Sequence, residues 1–199
     1  MIDYLTLLNS TSGELREKGS KFYSFAYPIK SMENFNKYHQ LLKEKFTDSS
    51  HICYAYRLVV DDRIDEFATD DGEPKGSSGL PILNSIKQQE LVNCAVFVIR
   101  YFGGTKLGIP GLIASYGGCA KVALGKVKIV SWHPTTTVWV NHNYDQNRLI
   151  ESVIKQFTGK ILKQNFKETV QTNIEIRPEQ KNEFDKVLFD KSAGKLRVY

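Results

Sequence analysis

The chain has 199 residues, 41% of them hydrophobic and 12% aromatic, enough for one large domain or two small ones with real cores. No apolar run reaches the roughly 18 residues of a membrane-spanning helix, and the first thirty residues lack a basic-led apolar stretch with a small-residue cleavage site, so the chain is expected to be cytoplasmic with no membrane partner. A formal charge of +5 and a pI near 9.0 suit an RNA or acidic partner but fall short of a polybasic tail. The three cysteines, Cys53, Cys94 and Cys119, are widely spaced among apolar residues and read as reduced, buried thiols.

Residues 14 to 30, rich in β-favouring side chains around "SKFYSFAYPI", predict a strand. "SMENFNKYHQLLKEKF" predicts a helix with Ser31 as N-cap, Asn34 where a capping box would place Glu or Gln, and a stripe of Phe35, Tyr38, Leu42 and Phe46 for a sheet. "HICYAYRLVV", 51 to 60, is a second strand with Ile52, Tyr54 and Tyr56 on one face and His51, Cys53 and Ala55 on the other. From Asp61 to Gly79 apolar periodicity vanishes, seven carboxylates fall between Asp61 and Glu73, and an acidic loop is expected.

"GLPILNSIKQQE" reads as a short helix and "LVNCAVFVIRYF" as a strand buried on both faces, ending at Arg100. "VIRYFGGTKLGIPGLIASYGG", 98 to 118, holds six of the chain's 14 glycines, with the next helix expected to start at Pro110. Beyond His133 the order "TTTVWVNHN", "YDQNRLIESVIKQF", "KILKQNFKE", "TVQTNIEIR", "PEQKNEFDKVLFD" and "GKLRVY" is βαββαβ, the ferredoxin-like pattern. The domains are expected at 1–133 and 134–199.

Backbone N–H groups at a helix start beside glycines make an anion site, for which Lys106 and Arg100 would supply positive charge; the bland alternative is a tight strand-to-helix turn. Neither a Walker nor a Rossmann spacing is present. Gly117 and Gly118 would serve close packing. Asp70, Asp71 and Glu73 could hold a divalent cation or form a solvated loop, and no metal is assigned. Ser77 and Ser78 of "GSSG" could bind an oxyanion or cap the following helix. His51 and Cys53 share a strand face, which raises a nucleophile pair, but nothing supplies the activation a thiol needs.

The segments "DDGEPKGSSGLPIL" and "VFVIRYFGGTKLGIPGLIASYG", with "KGSKFYSFAYPI" and "HICYAYRL", resemble the YigZ/IMPACT family over nearly the whole chain. The resemblance implies an α+β fold. An amino-terminal domain like the second domain of a small-subunit ribosomal protein, also found in translational GTPases and GHMP-type kinases, would precede a ferredoxin-like domain resembling the last domain of elongation factor G. Similar eukaryotic proteins restrain the general-control translation kinase by competing for its ribosome-associated activator.

By position, the signature falls on Arg100, Tyr101, Phe102, Gly103, Gly104, Lys106, Leu107 and Gly108, and the acidic segment on Asp71, Gly72, Glu73, Pro74, Gly76 and Gly79; Ser77 and His51 join the candidate binding residues. Many members carry an arginine where this chain has Ala114 and a small residue at Pro110. If that arginine holds a phosphate in other members, affinity here should be lower, or supplied by Lys106 or Lys121.

The reading leans away from catalysis, since no constellation fills the roles an active site needs. It assigns no catalytic residue and no cofactor, and expects a regulatory binding protein of translation contacting RNA, the ribosome or a ribosome-associated protein. Residues 134–199 carry eleven Lys/Arg against eight Asp/Glu, a balance of +3, and their sheet could offer Trp139 or Phe166 for base stacking. The alternative is a phosphate- or nucleotide-binding enzyme with the glycine loop as anion cradle.

Overall fold

The computed structural model describes residues 4–61 and 63–199, which divide into two compact units between Trp132 and His133. Asp62, one of the carboxylates in the expected acidic loop, lies outside the described residues. Among the described residues no helix is long and apolar enough to cross a membrane.

The amino-terminal unit is built from β1 (Tyr4–Leu7), β2 (Thr11–Glu17), β3 (Ser20–Pro28), α1 (Met32–Lys45), β4 (His51–Val60), β5 (Arg63–Thr69), α2 (Gly79–Lys87), β6 (Cys94–Tyr101), α3 (Gly108–Leu124) and β7 (Ile129–Trp132). Five strands form an antiparallel sheet in the order β2-β3-β6-β4-β5, while β1 and β7 make a separate antiparallel ribbon. Strand β6 is central, as its unbroken apolar run requires. Alternation sends Cys94, Val96 and Val98 into a core with α2 and α3, and Ala95, Phe97 and Ile99 into a second core beneath α1.

Helix α1 starts at the expected cap: the Ser31 hydroxyl accepts from the Asn34 N–H at 3.3 Å. The Asn34 side chain in turn accepts from the Lys30 N–H at 3.2 Å, one residue ahead of the N-cap N–H that a capping box would use. Its stripe packs as predicted, with Phe35 and Leu42 buried and Tyr38 and Phe46 against them.

Two strand expectations of this unit change. Residues 14–30 form part of a hairpin, β2–β3, instead of one strand. The first half of the expected acidic loop is the edge strand β5, paired with β4 from Tyr54↔Thr69 to Val60↔Arg63. Its charges are edge-strand charges: Glu66 pairs with Arg57 at 3.1 Å and Lys87 at 2.8 Å, and Asp65 accepts from the Tyr56 hydroxyl at 3.2 Å. Such charges blunt an open edge against pairing with other chains, and they hide the alternation that betrays a strand.

The carboxy-terminal unit runs β8 (Thr136–His142), α4 (Asn147–Gln156), β9 (Lys160–Phe166), β10 (Val170–Ile176) and α5 (Lys181–Lys191). Its sheet order is β8-β10-β9, all antiparallel. The closing segment joins outside β8 through an antiparallel bridge, Val140↔Val198. That is the ferredoxin-like order, with the fourth strand reduced to a bridge. Val138, Val140, Ile150, Val153, Ile174, Phe184 and Leu188 form its core. Pro178 opens a 3₁₀ turn ahead of α5 instead of the helix itself.

Candidate functional site

Strand β6 delivers Arg100 to the same face as Val96 and Val98, at the point where the apolar core ends. The guanidinium lies between the rings of Phe22 and Phe102, 5.6 and 5.5 Å from their centroids. Its Nη1 donates to Glu73 Oε1 at 2.6 Å and its Nη2 to the Ser20 hydroxyl at 3.4 Å, while Nε is buried without a partner. Both ion-pair side chains are nearly enclosed, with 7% of Arg100 and 5% of Glu73 exposed. Tyr116, on the buried stripe of α3 with Leu112, Cys119 and Ala120, donates its hydroxyl to the same Glu73 oxygen at 2.8 Å. Burial raises the Tyr116 phenol well above its ordinary value, keeping it a donor. The two sequence signatures are thus one clamp, closed by Glu73, Arg100 and Tyr116. Arg100 is neutralised inside the protein instead of waiting for an incoming anion.

The rest of the 70–79 segment is tied just as firmly. Asp70 Oδ1 accepts from the N–H groups of Ser78 and Gly79 at 3.0 and 2.9 Å and from the Ser78 hydroxyl at 2.8 Å, and Oδ2 accepts from Gly76 N–H at 2.7 Å. Asp70 therefore caps α2 from outside the helix, where the sequence pointed to the serines; Ser78 at the N-cap makes no side-chain cap bond. Partial burial works against the Asp70 charge, yet these bonds hold its carboxyl below the usual carboxylate range. Asp71 Oδ2 accepts from Ile52 N–H at 2.6 Å, and the Asp71 carbonyl lies 2.7 Å from His51 Nδ1. Ser77 donates to the Pro74 carbonyl at 2.6 Å. The three carboxylates considered for a cation are each engaged separately. Among the described residues no group of three or more His, Cys, Asp or Glu is arranged to hold a metal.

His51 Nε2 comes within 4.0 Å of Glu73 Oε1, so His51, Asp71, Gly72, Glu73 and Arg100 belong to one cluster. Cys53 neighbours it: its thiol donates to the Asp70 carbonyl at 3.1 Å, and burial pushes it up to about 12, away from the thiolate a nucleophile needs. Tyr101 falls on the opposite sheet face, donating to Asp48 at 2.7 Å and packing against Tyr23.

The glycine segment has two ends with different tasks. A Cβ on Gly103 would overlap the backbone of Gly19 and Ser20, so glycine is needed where the loop crosses the β2–β3 turn; its N–H donates to Ser20 Oγ at 3.2 Å. Helix α3 begins two residues before Pro110, at Gly108, whose φ of +68° suits glycine. Beside this start lies a cavity of about 360 Å³ lined by Glu73, Pro74, Arg100, Phe102, Lys106 and the first turns of α3. Gly79, Ser77 and Asp71 do not line it. Lys106 is exposed, as are Phe102 (51%), Ile109 (54%) and Ile113 (44%). Gly104 is exposed at a φ of +86°, and a Cβ added there would meet only open space. Ala114 is exposed, and Lys121 lies thirteen residues along the helix from Gly108, about 20 Å away, so it cannot serve that start. Gly117 packs on Pro81 and Gly118 on Leu15.

Sequence reasoning missed Tyr116, Ser20 and the capping role of Asp70. Tyr116 sat in plain view at i+4 from Leu112, on the inward stripe of α3. Nothing local marks Ser20, eighty residues from Arg100.

Residues 18–124 match the Impact N-terminal domain, and residues 140–195 match a domain of unknown function, DUF1949. An IMPACT family member from Haemophilus influenzae is 27% identical over 201 residues, covering 100% of this chain and 97% of its own. The IMPACT family member YigZ of Escherichia coli is 28% identical over 182 residues, covering 91% and 89%. A crystal structure of a hypothetical protein aligns with a TM-score of 0.72 at 27% identity, over 100% of this chain and 97% of the other. The Impact N-terminal match encloses both halves of the clamp and the glycine segment, and the chain belongs to the IMPACT family.

Proposed function

We propose that this chain is a non-catalytic regulator of translation, acting in the cytoplasm by binding RNA, the ribosome or a ribosome-associated protein. One observation carries the reading. The charged signature residues Glu73 and Arg100 hold each other inside the protein, and what the glycine segment turns outward is an apolar patch, Phe102, Ile109 and Ile113, beside the cation Lys106. Exposed apolar side chains rimmed by a cation suit docking on a macromolecule. The translational setting comes from the family resemblance, in which eukaryotic members act on a ribosome-associated activator.

The test is ribosome co-sedimentation of wild type against Lys106→Glu with Ile109→Ser. Loss of sedimentation in a folded variant is expected; unchanged sedimentation removes the patch from the account. A second reading, an enzyme taking a phosphate-bearing ligand, draws on the cavity beside Gly108 and Lys106. Thermal stabilisation by ATP or GTP with Mg²⁺ would favour it, since a ligand of the native state must raise stability.

A further inference from the structure

The open face of the carboxy-terminal sheet has a composition of its own. On β8 and β10, Val138, Val140, His142, Val170, Thr172, Ile174 and Ile176 are buried on the helix side, so the alternate residues face away from α4 and α5. Cross-strand register lines them up. Tyr199 exchanges both backbone hydrogen bonds with Trp139 at 3.0 Å, Trp139 lies opposite Asn173, and Asn173 opposite Lys163. With strands ~4.8 Å apart this row spans about 14 Å. Above it run Asn141, Gln171 and Asn165; below it run Thr137, Glu175 and Lys160. Phe166 is not on this face: its register partner Val170 is buried on the helix side, and its ring stacks 6.4 Å from Tyr144.

A merely solvated sheet face does not call for two large aromatics beside a row of amides. Tyr199 is exposed and Trp139 half-buried, and Lys160 and Lys163 are exposed. The same end of the sheet carries a cavity of about 230 Å³ whose lining gathers His133, Lys160 and Arg177 with Thr135, Thr158 and Glu175. Glu175, the carboxylate of the face, accepts from the Thr135 hydroxyl at 3.2 Å. The charge balance of this unit, eleven Lys/Arg against eight Asp/Glu, or +3, also favours a polyanion.

We propose that this face binds single-stranded RNA, with Trp139 and Tyr199 stacking on bases, the Asn and Gln rows bonding base edges and 2′-hydroxyls, and Lys160 and Lys163 meeting phosphates. Every base offers a π face, so stacking needs no particular sequence, and amides can both donate and accept. A folded duplex hides its bases and cannot use the aromatic row. The inference rests on the translational reading for the choice of RNA, and it concerns a different surface from the patch around Lys106.

The test is fluorescence anisotropy of the full chain with a labelled mixed-sequence single-stranded RNA, against single-stranded DNA and duplex RNA of equal length. Single-stranded RNA is expected to bind best, with log affinity falling against log salt by about 0.7 per phosphate contacted. Tyr199→Ala and Trp139→Ala should each weaken binding about tenfold, while Trp139→Phe retains most of it. Lys163→Glu should weaken binding and flatten the salt dependence. Because Trp139 is half-buried, the exposed Tyr199 and Lys163 carry the decision if Trp139→Ala fails to fold. No binding at low salt, binding indifferent to Tyr199→Ala with Lys163→Glu, or DNA bound as tightly as RNA would each overturn the proposal. Lost ribosome sedimentation in Lys106→Glu/Ile109→Ser with RNA binding intact supports two separate surfaces; RNA binding abolished by that variant contradicts the assignment to this sheet.

Discussion

The two glycine-rich segments of the amino-terminal unit, 70–79 and 103–111, look alike in sequence and do opposite things. The first turns its polar groups inward: Asp70 caps α2, Asp71 ties to β4, and Glu73 closes on Arg100 and Tyr116. The second is fixed at Gly103 and then presents Lys106 and Ile109 to solvent, near the exposed Phe102 that precedes it. A glycine-rich loop is therefore not a site in itself. What separates a brace from a binding surface is whether its polar atoms are already satisfied.

The largest expected effect breaks the brace. Glu73→Ala or Arg100→Ala leaves an uncompensated buried charge and should cost about 3–5 kcal/mol in urea unfolding. A loss under 1 kcal/mol would mean that the pair is not the closure described.

Removing the Asp70 cap comes next. Asp70→Asn should destabilise by about 1–2 kcal/mol at neutral pH. Because the folded carboxyl titrates below its unfolded value, near 3.9, its contribution is full above that value and is lost as pH falls through the folded one. The gap between wild type and Asp70→Asn should therefore be constant at neutral pH and shrink once the pH falls below about 4. A gap that grows on acidification would contradict the capping role.

The presenting segment should behave in the reverse way. Lys106→Glu with Ile109→Ser should change stability by less than about 0.5 kcal/mol, as exposed positions do, while ribosome co-sedimentation falls. The smallest effect concerns Cys53: with its thiol held up to about 12 by burial, native-state alkylation at pH 8 should be slow and should accelerate on unfolding.

Much of this scaffold was legible in the sequence. Ser31, the Phe35–Leu42 stripe and the doubly buried run of β6 are local patterns, and local patterns report local structure. Strand β5 was not legible, because an edge strand with charged side chains shows little apolar alternation. Nor was the cap on α2, since Asp70 lies eight residues before the Ser78 N–H it satisfies. The start of α3 was read two residues late because Pro110 outweighed a glycine in the left-handed region. The site was legible as residues and not as an arrangement: the Glu73–Arg100 pair spans 27 residues, and only the fold shows that each signature exists to hold the other.

The account rests most directly on that pairing, and a double-mutant cycle tests it. Glu73→Gln, Arg100→Met and the double variant should be compared by urea unfolding. The account predicts strong coupling, with the double variant more stable than the sum of the single losses by about 1 kcal/mol or more. Additive losses would show that Glu73 and Arg100 act independently and would contradict the clamp.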